Sequence, residues 1–124
     1  MSQDLGIVGY DSFHFIVGDL ERSRRFYTEA LGFTEVARAS RAKVEAGGEE
    51  ASVFGAGQIR VLVSTPVRPD SRAARWLRVH PDGVSSLAFR VRDVDAAWRF
   101  LEPRGATFLT DVQVHEDGGG YFRT

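Results

Sequence analysis

Two short runs of this chain alternate apolar and polar residues and then stop on an aspartate: "SFHFIVGD" at 12–19 and "SLAFRVRD" at 86–93. In the first, Phe13, Phe15 and Val17 fall on one side and Ser12, His14 and Ile16 on the other, the period-two pattern of a strand. In the second, Leu87, Phe89 and Val91 alternate in the same way with Ser86, Ala88 and Arg90. Each aspartate is placed to cap a helix, its carboxylate accepting from the free N–H groups of the first turn. Behind Asp19, Leu20, Ser23, Tyr27, Ala30 and Leu31 recur at helical spacing, and Gly32 suits the left-handed residue that closes such a helix. Behind Asp93, Val94, Ala97, Trp98 and Leu101 form the equivalent stripe, ended by Pro103 and Gly105.

Between the two runs, residues 34–39 and 50–54 read as strands joined by the polar connection "EAGGEE". "GAG" at 55–57 turns the chain into "IRVLVST", the clearest strand of the middle section. "DSRAARWLRVH" at 70–80 predicts a short capped helix, and "HPDG" a turn. A further strand is expected over 107–115, and "YFRT" begins another. The two capping aspartates lie 74 residues apart, so the pattern reads as a duplicated strand–helix–strand–strand–strand module. Two such modules each bury a helix on one sheet face and leave the other needing cover. The expected fold is therefore α+β, a single domain of paired βαβββ modules. Module 1 covers about 10–66, the connecting helix 70–80, and module 2 about 84–124 without its last strand. Ser12, His14, Ser86 and Arg90 would face the cleft, and Phe13, Phe15, Val17, Leu87, Phe89 and Val91 the helices. A generic ferredoxin-like sandwich with an incidental spacing is the competing architecture.

Composition narrows the partners. The 124 residues are 43% hydrophobic and 27% charged with a formal net charge of −1, which gives no global attraction for nucleic acid or an anionic membrane. There is no cysteine, so disulfides and thiolate metal sites are excluded. No apolar run reaches membrane-spanning length, and "MSQDLGIVGYD" lacks the order of a signal peptide, so a cytoplasmic location is the expectation. The arginines at 22, 24 and 25 and at 68, 72, 75 and 78 are not interleaved with aromatics and read as solvated faces.

The paired strand–Asp–helix signature resembles the vicinal oxygen chelate superfamily, which holds the glyoxalases and extradiol dioxygenases. The stretch "GQIRVLVSTPVRPDSRAARWLRVHPDGVSSLAFRVRDVDAAW" is similar to the N-terminal half of the 4-hydroxyphenylpyruvate dioxygenase and hydroxymandelate synthase family. The resemblance implies an N-terminal fragment of a longer Fe(II) enzyme that converts a small aromatic 2-oxo acid and O2 to homogentisate and CO2. It implies that the iron ligands, two histidines and a glutamate, belong to a C-terminal half. The histidine that metal-binding members place seven residues before each capping aspartate is replaced here by Ser12 and Ser86. Neither is a first-choice ligand for a divalent transition metal. No catalytic, cofactor-binding or metal residue is therefore assigned in this chain, and its own cofactor is expected to be none. His14 is more readily a sheet-interior histidine than a ligand, since two residues along a strand is nearly 7 Å. The expected partners are the missing C-terminal half and further copies of the chain, with Tyr121 and Phe122 near the contact. The alternative is a metal-free small-molecule-binding module like the bleomycin resistance proteins.

Overall fold

A computed structural model describes residues 4–108, 111–117 and 120–123. The element order is β1 (Ile7–Ile16), α1 (Leu20–Arg25), β2 (Thr34–Arg38), α2 (Arg41–Gly47), β3 (Glu49–Ala56), β4 (Ile59–Pro66), α3 (Arg72–Leu77), β5 (Gly83–Val91), α4 (Val94–Leu101), β6 (Val114–Asp117) and β7 (Gly120–Arg123). Five strands form one sheet in the order β2-β3-β4-β1-β5, and β6 and β7 form a separate antiparallel pair. The α+β class and the βαβββ modules follow from this order: β1, α1, then β2, β3 and β4, with β4 returning parallel to β1. The chain divides into two compact units, Tyr10–Ala88 and a second made of Met1–Gly9 with Phe89–Thr124.

In the larger unit, α1 starts on Asp19, whose carboxylate accepts the Arg22 N–H at 3.1 Å. The helix buries Leu20 and widens into a π turn over Phe26–Ala30. Gly32, at φ +73°, then reverses the chain into β2. Phe13 pairs with Val61 and Phe15 with Val63 across β1 and β4, so this face of β1 meets the helix side, as its alternation predicts. The core there is Val17, Leu20, Phe54, Val61 and Val63, with Phe15, Tyr27 and Phe33 packed against it. Tyr27 stacks on Phe54 with ring centroids 5.3 Å apart. Arg24 and Glu35, 16% and 17% exposed, pair at 2.7 Å beside this core, and Arg24 also reaches the buried Ser52 hydroxyl.

Two sequence expectations change here. The connection before β3 is a helix: Ser40 caps α2 by accepting the Lys43 N–H, and Gly48 ends it at φ +71° under the Arg68 guanidinium. Of the strand expected over 107–115, only its end falls in a described strand, Val114–Asp117, which pairs with β7 from Gly120, and residues 109 and 110 lie outside the described residues. The side chains of His115, Tyr121 and Phe122 lie outside the described residues.

In the smaller unit, Asp93 caps α4 through the Ala96 N–H at 3.2 Å, repeating the Asp19 geometry (φ −151°, ψ 111° against −139°, 100°). The Arg92 N–H donates to the Gly6 carbonyl at 2.9 Å, and Asp4 accepts from both Gly6 N–H and the Arg92 guanidinium. Trp98 stacks on Phe108 at 3.7 Å. No residue of α4 is fully buried. Phe89 here and Leu87 in the larger unit, both expected against the helices, are each 48% exposed. Within the larger unit the Gly18 N–H donates to the Asp82 carboxylate at 3.1 Å. The lead-in to each module's first strand thus bonds the turn ahead of the other module's helix, a repeated contact that supports the duplication. No described helix is long and apolar enough to cross a membrane.

Candidate functional site

Residues paired across a sheet share a face, so the register assigns the face opposite the core. His14 pairs with Leu62 and Ile16 with Ser64 across β1 and β4, while Ala51 pairs with Ser64, Val53 with Leu62 and Glu49 with Pro66 across β3 and β4. His14, Ile16, Leu62, Ser64 and Glu49 therefore occupy one surface, the side the sequence assigns to a cleft.

Part of that surface is covered by α3. Ser71 caps α3 by accepting the Ala74 N–H at 3.1 Å, and Ala73 is fully buried. The Glu49 carboxylate accepts the Ala73 N–H at 3.4 Å and lies 4.0 Å from the Arg72 guanidinium, tying the start of α3 to the start of β3. Beneath it, His14 Nε2 and Ser64 Oγ share a hydrogen bond of 2.7 Å. Ile16 and Ser64 are buried. Burial, aided by the Arg72 charge, lowers the His14 pKa to about 4, so the ring is neutral at physiological pH. A neutral imidazole shares this bond with the buried hydroxyl without the desolvation cost that a charged ring would pay.

The sequence placed His14 on this face but missed its partners. Ser64 and Thr65 are polar residues that follow the apolar run Val61–Val63 in the same strand, the one signal that a polar contact waits there. Glu49 and Arg72 gave no comparable sign. Of the remaining cleft candidates, Ser12 is half-buried with its hydroxyl on Asp11 at 3.1 Å, and Ser86 is exposed on β5. His14 bonds through its carbonyl to Ser85 and Gly18 through its N–H to Asp82, so β5 runs antiparallel to β1. Ser12 lies two residues before the His14–Ser85 contact and Ser86 one beyond it, on neighbouring strands. Arg90 is exposed on the part of β5 that belongs to the smaller unit.

The other polar constellation lies on the helix side. A cleft of about 230 Å³ between Leu20, Arg24, Arg38, Val44 and Ser52 has the Arg24–Glu35 pair beside it. Burial would raise the Glu35 pKa, but hydrogen bonds from Arg24, Arg38 and Ser52 outweigh it and hold the carboxylate at about 2. These charges compensate one another.

A divalent transition metal needs imidazole and carboxylate donors converging on one point. Here the two ligand-equivalent positions are serines, His14 Nε2 is engaged by Ser64, and Glu49 is engaged by α3. Among the described residues no three histidine, aspartate or glutamate side chains gather closely enough to hold an ion. The donor set does not fit such a metal.

Comparison with known proteins agrees with the architecture. Residues 9–124 match the family model described as Glyoxalase/Bleomycin resistance protein/Dioxygenase superfamily. The 4-hydroxyphenylpyruvate dioxygenase of Coccidioides posadasii is 28% identical over 130 residues, covering 93% of this chain and 32% of that protein. The enzyme of the same name from Tetrahymena thermophila is 30% identical, covering 91% of this chain and 29% of that protein. The chain thus spans about a third of the length of these curated relatives. Among solved structures, methylmalonyl-CoA epimerase from Mycobacterium tuberculosis superposes with a TM-score of 0.78 at 21% identity, over all of this chain and 83% of that one. A Streptomyces coelicolor methylmalonyl-CoA epimerase in complex with 2-nitronate-propionyl-CoA gives 0.76 at 23% identity, over 95% and 88%. At these identities the likeness to the epimerases is one of fold. Capping aspartates at a 74-residue spacing, a parallel β1–β4 return and a family match over nearly the whole chain lead to one conclusion: this chain belongs to the glyoxalase/bleomycin resistance protein/dioxygenase superfamily.

Proposed function

We propose that this chain is the metal-free N-terminal module of a longer Fe(II) dioxygenase similar to 4-hydroxyphenylpyruvate dioxygenase. The parent would take a small aromatic 2-oxo acid and O2 to homogentisate and CO2, as in tyrosine catabolism, and would work in the cytoplasm. The iron would sit in the other half, and this module, one domain of paired βαβββ units, would serve as scaffold and assembly surface. The observation that carries the reading is the way the relatives align: nine-tenths of this chain against about a third of each dioxygenase. The engagement of His14 by Ser64 and of Glu49 by α3 supports the metal-free role, because these donors are already used within the fold. The sister reaction to hydroxymandelate uses the same substrate class and is covered by the same proposal.

The test is the reading frame of the gene. It is expected to continue past Thr124 into a second half that carries two histidines and a glutamate as iron ligands. The full-length protein should bind one Fe(II) and turn over 4-hydroxyphenylpyruvate, and residues 1–124 should do neither. A frame that closes at Thr124, or a second half without those ligands, would overturn the proposal. Either outcome would favour a metal-free small-molecule-binding module.

A further inference from the structure

We infer that α3 is an acid-released cover: protonation of His14 undocks the 69–81 segment from the sheet face while the sheet beneath stays folded. The inference concerns this chain alone and does not rest on the dioxygenase reading.

Three observations carry it. First, the segment is anchored at both ends and bonded mostly to itself between them. Before it, the Arg68 guanidinium donates to the Glu45 and Ala46 carbonyls of α2; after it, the Asp82 carboxylate accepts the Gly18 N–H. Inside it, Arg75 donates to the Asp70 carbonyl, Arg78 to the Pro69 carbonyl and the Ala74 N–H to Ser71. Among the described residues, its hydrogen bonds and ion pairs to the sheet all come from Glu49. Those contacts are long, 3.4 Å to the Ala73 N–H and 4.0 Å to the Arg72 guanidinium. Second, little apolar area holds the segment down. Only Ser71 and Ala73 are buried, and Trp76 and Leu77 are half-buried. Third, a charge on His14 meets a cation. On its side of the sheet the charged groups are Arg72 of α3 and Glu49 of β3, and Glu49 is already spent on α3. Ser64 of β4, its partner at 2.7 Å, is uncharged, and so is β5 over "GVSSLA", where Ser85 donates to the His14 carbonyl.

Undocking moves Arg72 away and lets water reach the ring. Docked, the ring has a pKa of about 4; released, it returns toward 6.5. Between those values release takes up one proton, so the released-to-docked ratio grows by up to about tenfold per pH unit.

Trp76 rides on α3 and reports the event once Trp98, the other tryptophan, is removed by Trp98→Phe. Acrylamide quenching and far-UV circular dichroism are followed together on residues 1–124 as the pH falls. The quenching constant should rise at least about twofold from pH 6.5 to 4.5 while the dichroism holds. His14→Gln, which still carries His80 stacked on Trp76, should stay flat. Glu49→Gln, which loosens the same contact without touching the ring, should begin its rise at a higher pH. A flat profile in the parent, a rise that survives His14→Gln, or a Glu49→Gln profile that matches the parent would each overturn the inference. Dichroism lost in step with quenching would overturn it too, since the whole fold would then be opening.

Discussion

His14 shows how one residue can report on the surface that covers it. Its pKa of about 4 lies below the ordinary 6.5, chiefly through burial and secondarily through Arg72. A base whose folded pKa is depressed loses stability as pH falls. Below 6.5 the unfolded chain takes up a proton that the folded chain refuses, and the loss is complete near pH 4, where the folded ring also protonates. The full shift would amount to about 3 kcal/mol, and solvent reaching the half-buried ring reduces this to about 1–2 kcal/mol. Urea unfolding across this range should therefore show a falling midpoint for the wild type and a flatter one for His14→Gln. Parallel curves for the two proteins would mean that the ring titrates as it does in water. Glu35 acts in a lower window, its stabilisation being present above 4.5 and lost toward 2. The face of His14 was legible in the alternation of "SFHFIV", but its neighbours were not. Ser64 lies 50 positions away, and only the parallel pairing of β1 with β4 brings it into range.

Among the elements, the two capped helices offer a matched pair. Asp19 and Asp93 adopt the same extended backbone and each accepts from the N–H of the third helical residue, yet α1 buries Leu20 whereas α4 buries no residue fully. Replacing a capping aspartate by alanine costs about 1 kcal/mol when the helix is part of the cooperative core. Asp19→Ala should lower the thermal midpoint, and Asp93→Ala should lower it less while fraying α4 by circular dichroism. Equal losses would show that α4 is as firmly packed as α1. Both helices were readable because an apolar stripe follows each cap. α2 was not, for a physical reason: only Val44 of its seven residues is even half-buried, so no apolar period announces it. Its signs are the Ser40 cap and the Gly47–Gly48 ending, which also suit a loop.

At the scale of the molecule, the 74-residue repeat made the module visible because capping and alternation are local properties of the sequence. The exposure of Leu87 and Phe89 was not visible, since an alternating strand looks the same whether or not a layer covers it. The parallel return of β4 to β1 also has a kinetic side. β3 and β4 are joined by a two-residue turn at Gly57 and pair over their whole length, so their contacts are close in sequence. β1 enters beside β4 with Phe13 opposite Val61, 48 positions away, and a loop of that length must close before any contact repays the lost chain entropy. The β3–β4 hairpin should consequently be formed in the rate-limiting state and β1 should dock after it. Stopped-flow measurements would then find Val53→Ala slowing refolding, and Phe15→Leu mainly speeding unfolding. The reverse pattern would put β1 in the nucleus. With the hairpin first, the polar surface that β1 completes with His14 is assembled last on the way in and is the first to come apart on the way out.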